Sequence, residues 1–262
     1  MKISVLLPYK ENFSPEYPGA VSLFVYETTK ISKFKKDITV FGNTDFKKTF
    51  NLKYVNIDLR KNLFSSQTKN YVKKFIKLEK KNDSTIIEIH NRPSYIQILS
   101  KEIKRKILTL YFHNDPLSMD GSQTIQERKN LLKTCYKIIF NSSWSKKRFL
   151  EGLENKFVNS DKLLIFHQSA SKGSLNLIDK KEKWITFVGK LNKAKGYDVF
   201  ASSIKKILDK YPDWEAKIIG DEKREKITLS HNRAHILGFK KHNEVLSIFK
   251  KTSIAVACSR WE

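Results

Sequence analysis

Residues 187–200 have the sequence FVGKLNKAKGYDVF, and this stretch decides which fold the chain is expected to adopt. An apolar run stops at Gly189, as a buried strand does where it reaches the edge of a sheet. Lys190, Lys195 and Gly196 follow, and an amphipathic segment with helical spacing comes directly after them. A strand, a short turn and a helix form the unit from which parallel sheets are built. The stretch therefore predicts an α/β fold.

The alternation of apolar runs and helical segments recurs along the chain and restarts once. Between the two series lies the polar stretch HQSASKGSLNLIDKKEK, whose serines and glycine are typical of a linker. The pattern predicts two domains with parallel sheets, residues 1–168 and 184–262, joined by a linker at 169–183. The predicted strands are Ile3–Leu7, Ile38–Phe41, Tyr54–Ile57, Thr85–Ile89, Ile107–Phe112 and Tyr136–Phe140, then Trp184–Val188, Trp214–Ile219, His235–Leu237 and Ser253–Cys258.

The chain ends at Glu262, soon after the last predicted strand. Parallel sheets bury both faces under helices, and few helical segments follow the strands of the second domain. The second domain is therefore expected to be incomplete.

The charge balance favours anionic partners. Lys and Arg number 51 against 27 Asp and Glu, a formal net charge of +24. Nucleic acid, anionic lipid head groups and phosphorylated small molecules are the partner classes that such a charge attracts. An alternative of equal weight is that the lysines are scattered over solvated faces and serve no partner.

The cysteines and the apolar runs indicate where the protein works. Cys135 and Cys258 lie in or beside apolar stretches and outside any C-x-x-C pair, which indicates buried thiols and a reducing, cytoplasmic setting. The N-terminal apolar run is shorter than that of a signal peptide, and no stretch approaches the length of a transmembrane helix. There is no D-x-D pair and no cluster of His and Cys, so neither a metal ion nor a cofactor is expected.

The turn at Gly189 has the chemistry of a phosphate site. Ligands of open α/β sheets bind beyond the carboxyl ends of the strands, and a glycine there lets them approach the backbone. The N-terminus of the following helix favours an anion, and Lys190 and Lys195 add two positive charges. The glycine patterns of the Walker and Rossmann loops are absent. The alternative is an ordinary strand-to-helix turn with exposed lysines.

Together with other stretches, this turn carries a family resemblance. VGKLNKAKGYDVF resembles the donor-side turn of family 4 retaining glycosyltransferases, and further stretches agree with that family in the same order. The chain is similar above all to bacterial enzymes of lipopolysaccharide and surface-polysaccharide assembly. The resemblance implies the GT-B fold, in which two Rossmann-like parallel-sheet domains face a cleft, here with an incomplete second domain. The further stretches are EYPGAVSLFVYE, IIEIHNRPSY, LTLYFHNDP, KIIFNSSWSKKRFL, IIGDE and HILGFKKHNEV.

The resemblance implies a donor site for a nucleoside-diphosphate sugar. Lys190 and Lys195 match the basic residues that hold the diphosphate and stabilise the leaving group. His113 matches a histidine beside the transferred sugar. The expected catalytic residues are His113, Lys190 and Lys195. Gly19 matches a glycine whose peptide N–H approaches the phosphates. Glu262 is either the first glutamate of the family's paired-glutamate motif or the residue before it. The residues expected to bind the donor are Gly19, Gly189, Lys190, Lys195, Gly220, Gly238, Phe239 and Glu262.

The acceptor is expected to contact a strand end in the first domain. His90, Asn91 and Arg92 follow an apolar run there, and Arg92 could pair with a phosphate or carboxylate of the acceptor. Equally, His90 could only shape the turn before Pro93. For His113, the alternative to a site residue is a histidine hydrogen-bonded within its own turn.

The function implied by the resemblance is transfer of a sugar from a nucleoside-diphosphate donor to a hydroxyl of a glycan or lipid-linked acceptor, with retention at the anomeric carbon. The basic surface would then serve peripheral contact with the anionic inner face of the plasma membrane. One alternative is a truncated, non-catalytic module that binds sugar nucleotides. The other is a basic nucleic-acid-binding protein, but the helix-turn-helix and RRM signatures are absent and no nucleic-acid partner is expected.

Overall fold

The computed structural model describes residues 1–59, 66–168, 180–221 and 225–260. The chain divides into two compact units, Met1–Ser171 and Lys172–Glu262. Most of the predicted linker, residues 169–179, lies outside the described residues, and so does Glu262.

The described part of the first unit forms a seven-stranded parallel sheet. Its elements are β1 Ile3–Leu6, α1 Ala20–Ile31, β2 Ile38–Gly42, β3 Tyr54–Asn56, α2 Gln67–Asn82, β4 Ile86–His90, α3 Ser94–Glu102, β5 Ile107–Phe112, α4 Ile125–Thr134, β6 Lys137–Phe140, α5 Ser143–Leu150 and β7 Leu163–Ile165. The order of the strands in the sheet is β3-β2-β1-β4-β5-β6-β7. Short 3-10 turns occur at Pro116–Ser118 and Asn155–Phe157.

The two faces of the first sheet differ in what covers them. One face presents aliphatic and aromatic side chains such as Leu110 and Phe112, which pack against helices α2 to α5 in one buried core. On the other face, α1 covers Val5 and its neighbours. Val5 and Glu88 are paired in register on β1 and β4, so both point to this second face. Beyond α1, the second face therefore carries polar groups where aliphatic residues would be expected.

The described part of the second unit forms a four-stranded parallel sheet. Its elements are β8 Glu182–Val188, α6 Tyr197–Lys210, β9 Glu215–Ile219, β10 Ala234–Ile236, α7 His242–Lys251 and β11 Thr252–Val256. The order of the strands in the sheet is β10-β9-β8-β11. Helix α6 buries Tyr197, Phe200, Ile204 and Leu208 against this sheet, at the spacing of one helix face.

The α/β prediction with two parallel sheets is confirmed, and each predicted strand is present to within two residues at either end. Strand β7 was not predicted, because a run of four apolar residues is too short to show a period; its pairing with β6 makes it a strand. Among the described residues, no helix is long and apolar enough to cross a membrane.

Candidate functional site

In the second unit, the loops that follow the strands are joined by their backbones at the carboxyl edge of the sheet. Gly189 donates its N–H to the carbonyl of Ile219 at 3.0 Å, and Gly220 donates to the carbonyl of Gly238 at 2.9 Å. These bonds connect the ends of β8, β9 and β10 in sequence. Gly189, Gly220 and Gly238, all expected at the donor, thus lie side by side. Their hydrogen bonds hold this edge of the sheet in one shape.

Two positions at this edge require glycine. Gly220 has φ of 141°, and a Cβ there would lie 1.8 Å from the carbonyl oxygen of Gly189. Gly196 has φ of 68°, and a Cβ there would lie 1.9 Å from the carbonyl oxygen of Cys258. Both obstacles are backbone atoms, so a side chain would displace the loops themselves. Glycine lets the loop after β11 contact the start of α6.

Residues 189–196, called here the glycine–lysine turn, are held by Asn192. Its side-chain oxygen accepts the N–H of Lys195 at 3.0 Å, and its carbonyl accepts the N–H of Tyr197 at 3.1 Å. Lys190 is exposed and Lys195 is half-buried. The two lysines and the N-terminus of α6 therefore belong to one rigid turn, an arrangement that suits a phosphate group. Phe239, which follows Gly238, is exposed at the neighbouring loop.

Sequence reasoning missed Arg260, which fastens the loop after β11 to this turn. Its guanidinium donates to both carboxylate oxygens of Asp198, each at 2.8 Å. The backbone N–H of Arg260 donates to the carbonyl of Ala194 at 3.0 Å. The contact raises the pKa of Arg260 and lowers that of Asp198 through the hydrogen bonds and charge they share. The two residues are 62 positions apart, so no local pattern could have indicated the pair.

In the first unit, the two strand-end histidines are linked to each other. His90 Nδ1 lies 2.8 Å from His113 Nε2, and His90 Nε2 lies 2.6 Å from Glu88 Oε1. The other ring nitrogen of His113, Nδ1, contacts the side-chain Nε2 of Gln168. We call these four residues the histidine row.

The surroundings of the row set the charges of its members. Burial, assisted by the nearby His90, lowers the pKa of His113 to about 2, so this imidazole is neutral at physiological pH. Burial alone would raise the pKa of Glu88, but its hydrogen bond with the His90 ring outweighs burial and holds that pKa below its usual value. Burial, with the Glu88 charge adding to it, raises the pKa of the Tyr111 hydroxyl well above its usual value.

The structure changes the interpretation of both histidines. His90 has no exposed surface, so the prediction that it contacts an acceptor is not met in this arrangement. His113 is not bonded within its own turn, because its ring nitrogens meet His90 and Gln168. Its proposed place beside a sugar stays a prediction.

Asn91 and Arg92 shape the loop after β4. Asn91 has φ of 55°, accepts the N–H of His113 at 3.2 Å and donates to Asn114 at 2.9 Å, which joins this loop to the loop after β5. Arg92 is half-buried, and its Nη1 donates to the carbonyl of Asn91 at 2.7 Å. Contact of either residue with an acceptor stays a prediction.

The start of α1 differs from its prediction. Gly19 donates its N–H to the carbonyl of Asn12 at 3.3 Å. The carboxylate of Glu11 lies at the helix start, where it accepts the N–H of Ser22 at 3.0 Å, and a Cβ on Gly19 would be 1.9 Å from its Oε1. A negative side chain thus occupies the place expected for a phosphate, because the N-terminus of a helix attracts either anion.

The remaining groups with possible chemistry are the two cysteines and the potential metal ligands. Cys135 is buried, which raises the pKa of its thiol to about 12 and leaves it unreactive, whereas Cys258 is only half-buried. Among the described residues, no three His, Cys, Asp or Glu side chains lie close enough together to hold a metal ion.

Comparison with known proteins identifies the class to which this architecture belongs. Residues 173–262 match the family model described as "Glycosyl transferases group 1". HepE from Anabaena, solved in complex with UDP and glucose, has a TM-score of 0.67 at 14% identity; the match covers 99% of this chain and 74% of that one. A UDP-forming α,α-trehalose-phosphate synthase from Burkholderia xenovorans has a TM-score of 0.68 at 12% identity, covering 99% and 78%.

The chain has the GT-B fold of glycosyltransferases, with a second domain that is partial relative to these structures. Its second unit carries the group 1 glycosyltransferase match, and together these findings support a glycosyltransferase. A putative UDP-N-acetylglucosamine 2-epimerase from Listeria monocytogenes is also similar, with a TM-score of 0.56 at 12% identity over 97% of this chain and 74% of that one. The fold alone therefore does not select the reaction. No curated protein sequence matches the chain.

Proposed function

We propose that the protein transfers a sugar from a nucleoside-diphosphate donor to a hydroxyl of a glycan or lipid-linked acceptor, with retention and without a metal ion or cofactor. The pathway would be the synthesis of lipopolysaccharide or another cell-surface polysaccharide, on the cytoplasmic side of the membrane. The observation that carries the proposal is the glycine–lysine turn, where Lys190 and Lys195 directly precede the N-terminus of α6.

The turn suits the charge that a diphosphate leaving group develops. Cleavage of the bond between sugar and phosphate places negative charge on the departing nucleoside diphosphate, and positive groups already in position stabilise that charge in the transition state. Lys190 and Lys195 supply such groups, and the positive end of the α6 dipole adds to them. Gly189, Gly220, Gly238 and Phe239 are proposed to border the nucleotide.

His113 is proposed to contact a hydroxyl of the transferred sugar. Because its pKa is about 2, it would act as a neutral hydrogen-bonding group. Retention would follow if the leaving phosphate takes the proton of the acceptor hydroxyl, as the family resemblance implies. Arg92 and Asn91 remain the proposed acceptor contacts.

The test is a double substitution in the turn of the full-length protein. Lys190→Ala with Lys195→Ala should lower kcat by about a hundredfold or more, the scale of losing a preorganised charge partner. The matched control is Lys205→Ala with Lys206→Ala, which removes the same charge from the exposed side of α6. UDP-sugars are the first donors to test, since similar structures were solved with UDP. Full activity in the turn variant would refute the assignment.

The second candidate, a module that binds sugar nucleotides without turnover, uses the same turn. It predicts UDP affinity that falls in the Lys190→Ala, Lys195→Ala variant, together with no release of UDP from a UDP-sugar in the presence of glycan acceptors. Release of UDP that depends on the acceptor would exclude this candidate.

Peripheral membrane contact has support from helix α2. Its lysines are all exposed, while Glu79, its acidic residue, is buried beneath them. The helix therefore presents a continuous cationic face, which anionic lipid head groups attract. The lysines of this face are Lys69, Lys73, Lys74, Lys77, Lys80 and Lys81.

Vesicle binding tests the role of that face. Substitution of Lys73, Lys77 and Lys80 by Gln should weaken binding to phosphatidylglycerol-containing vesicles by about a hundredfold, at about 1 kcal/mol for each lysine. Substitution of Lys205, Lys206 and Lys210 by Gln removes the same charge elsewhere and is the control. Equal binding of the wild type to pure phosphatidylcholine vesicles would contradict the proposal.

A further inference from the structure

The histidine row runs from one face of the first sheet to the region beyond the strand ends. It begins at Glu88, on the face of the first sheet, and ends at Gln168, which is exposed. Glu88 lies in the wall of a cavity of about 330 Å³ on that face, with Phe24 and Tyr111 beside it. The row thus connects a carboxylate on one side to an exposed amide beyond the strand ends.

The two imidazoles are enclosed by aromatic rings. Tyr111 stacks on His90 and on His113, with ring centroids 5.5 and 4.5 Å away, and Phe24 meets His113 edge-on at 5.1 Å. His90 has no exposed surface and His113 has 8%. All four ring nitrogens have partners within the row. With one proton on each ring, the two ends of the row therefore set which ring nitrogens carry them.

Those ends select one tautomer for each ring. The Nε2–H₂ of Gln168 donates to His113 Nδ1, so the proton of the neutral His113 is on Nε2 and points to His90 Nδ1. His90 then carries its proton on Nε2, which donates to the carboxylate of Glu88 at 2.6 Å. A carboxylate can only accept a hydrogen bond. Glu88 therefore enforces this direction along the whole row, whereas a neutral amide at the same position could also donate.

We propose that Glu88 and His90 are positioning residues for His113. Glu88, acting through His90, keeps the proton of His113 on Nε2, so that Nδ1 is presented as a hydrogen-bond acceptor. The exposed Gln168 occupies Nδ1 in the free protein, and a hydroxyl group of a bound sugar takes its place. The use of Nδ1 toward a sugar rests on the proposed function; the control of the tautomer by Glu88 does not.

The experiment reads the tautomers directly in the full chain. ¹⁵N-histidine labelling with long-range ¹H–¹⁵N correlation spectra distinguishes a proton on Nδ1 from one on Nε2. In the wild type, His113 should carry its proton on Nε2 and stay neutral at pH 7. Glu88→Gln should give a mixture of both His113 tautomers. Glu102→Gln, the same charge change on the exposed side of α3, should leave the spectrum unchanged.

Gln168→Ala separates the two ends of the row. If Glu88 controls the tautomer, His113 keeps its proton on Nε2 in this surface variant, and Nδ1 becomes open to solvent. A His113 that carries its proton on Nδ1 in the wild type, or that loses its preference in Gln168→Ala, would overturn the proposal even if Glu88→Gln does not fold. No substrate is needed, so a protein without transferase activity would refute the proposed function and leave this test intact.

Discussion

The carboxyl edges of the two sheets are held in shape by different groups. At the edge of the first sheet, polar side chains bond one another, and the imidazoles of His90 and His113 are buried. At the edge of the second sheet, backbone groups bond one another through Gly189 and Gly220, and the charge of Lys190 is left exposed.

The difference shows two ways in which a fold can fix the shape of a candidate binding site. Buried polar groups need partners, so the first edge fixes its histidines by completing their hydrogen bonds. The second edge is fixed by close backbone approach, which glycine alone permits, and Lys190 remains exposed beside it. The first edge should therefore respond to loss of a hydrogen-bonding side chain, and the second to gain of a side chain.

The sharpest test of the second edge is Gly220→Ala. The new Cβ would meet the carbonyl of Gly189, so we expect a loss of about 3 kcal/mol or more in local stability and loss of UDP binding. Gly238→Ala is the matched control: its φ of 67° is also left-handed, but no atom lies within 4 Å of the new Cβ, so about 1 kcal/mol is expected. Hydrogen exchange of the β8 and β9 amides measures the loss of local stability in each variant. Equal losses would mean that close approach is not what fixes this edge.

The first unit should be more sensitive to Glu79→Gln than to any exposed charge change. The buried Glu79 carboxylate accepts Ser4 Oγ at 2.5 Å and the N–H of Ser84 at 2.8 Å. An amide would turn one acceptor into a donor facing these groups, at a cost of about 2 to 3 kcal/mol. Hydrogen exchange in β1 and β4 measures the loss, with Glu102→Gln as the control. An unchanged exchange rate would show that the completed hydrogen bonds of a buried carboxylate do not stabilise the first unit.

The histidine row should make the first unit sensitive to acid. His113 has a folded pKa of about 2 against an ordinary value of 6.5. Below pH 6.5 the unfolded chain therefore binds a proton that the folded chain does not, and stability falls as the pH falls. At pH 5 the loss from this group is about 2 kcal/mol.

His113→Gln should remove that pH-dependent part, whatever it does to stability at pH 8. The exposed His242→Gln is the control. The measurement is the exchange rate of β5 amides in each variant at matched pH values between 5 and 8. Parallel pH profiles for the wild type and His113→Gln would contradict the burial of a neutral imidazole.

The smallest effect is expected for the ion pair between Arg260 and Asp198. Both side chains are partly exposed, and water and salt weaken such pairs. Arg260→Gln and Asp198→Asn should each change UDP affinity by only a few-fold, with the double variant no weaker than the single ones. A loss as large as that of Gly220→Ala would show that side chains fix the second edge as well.

The sequence by itself determined the order of strands and helices and the glycine–lysine turn. Both depend on residues close together in the chain, because periodicity and turn composition act over a few positions. It also marked His90 and His113 as strand-end residues.

Only the tertiary structure decided the partners of those residues. His90 meets His113 because β4 and β5 stand in one particular register, and Arg260 meets Asp198 across 62 residues. The carboxylate of Glu11, not a free peptide N–H of Gly19, occupies the start of α1, because the loop before that helix folds back onto it. A one-residue change in register would turn the side chains of a strand to the opposite face of its sheet, so side-chain contacts follow from packing and not from local pattern.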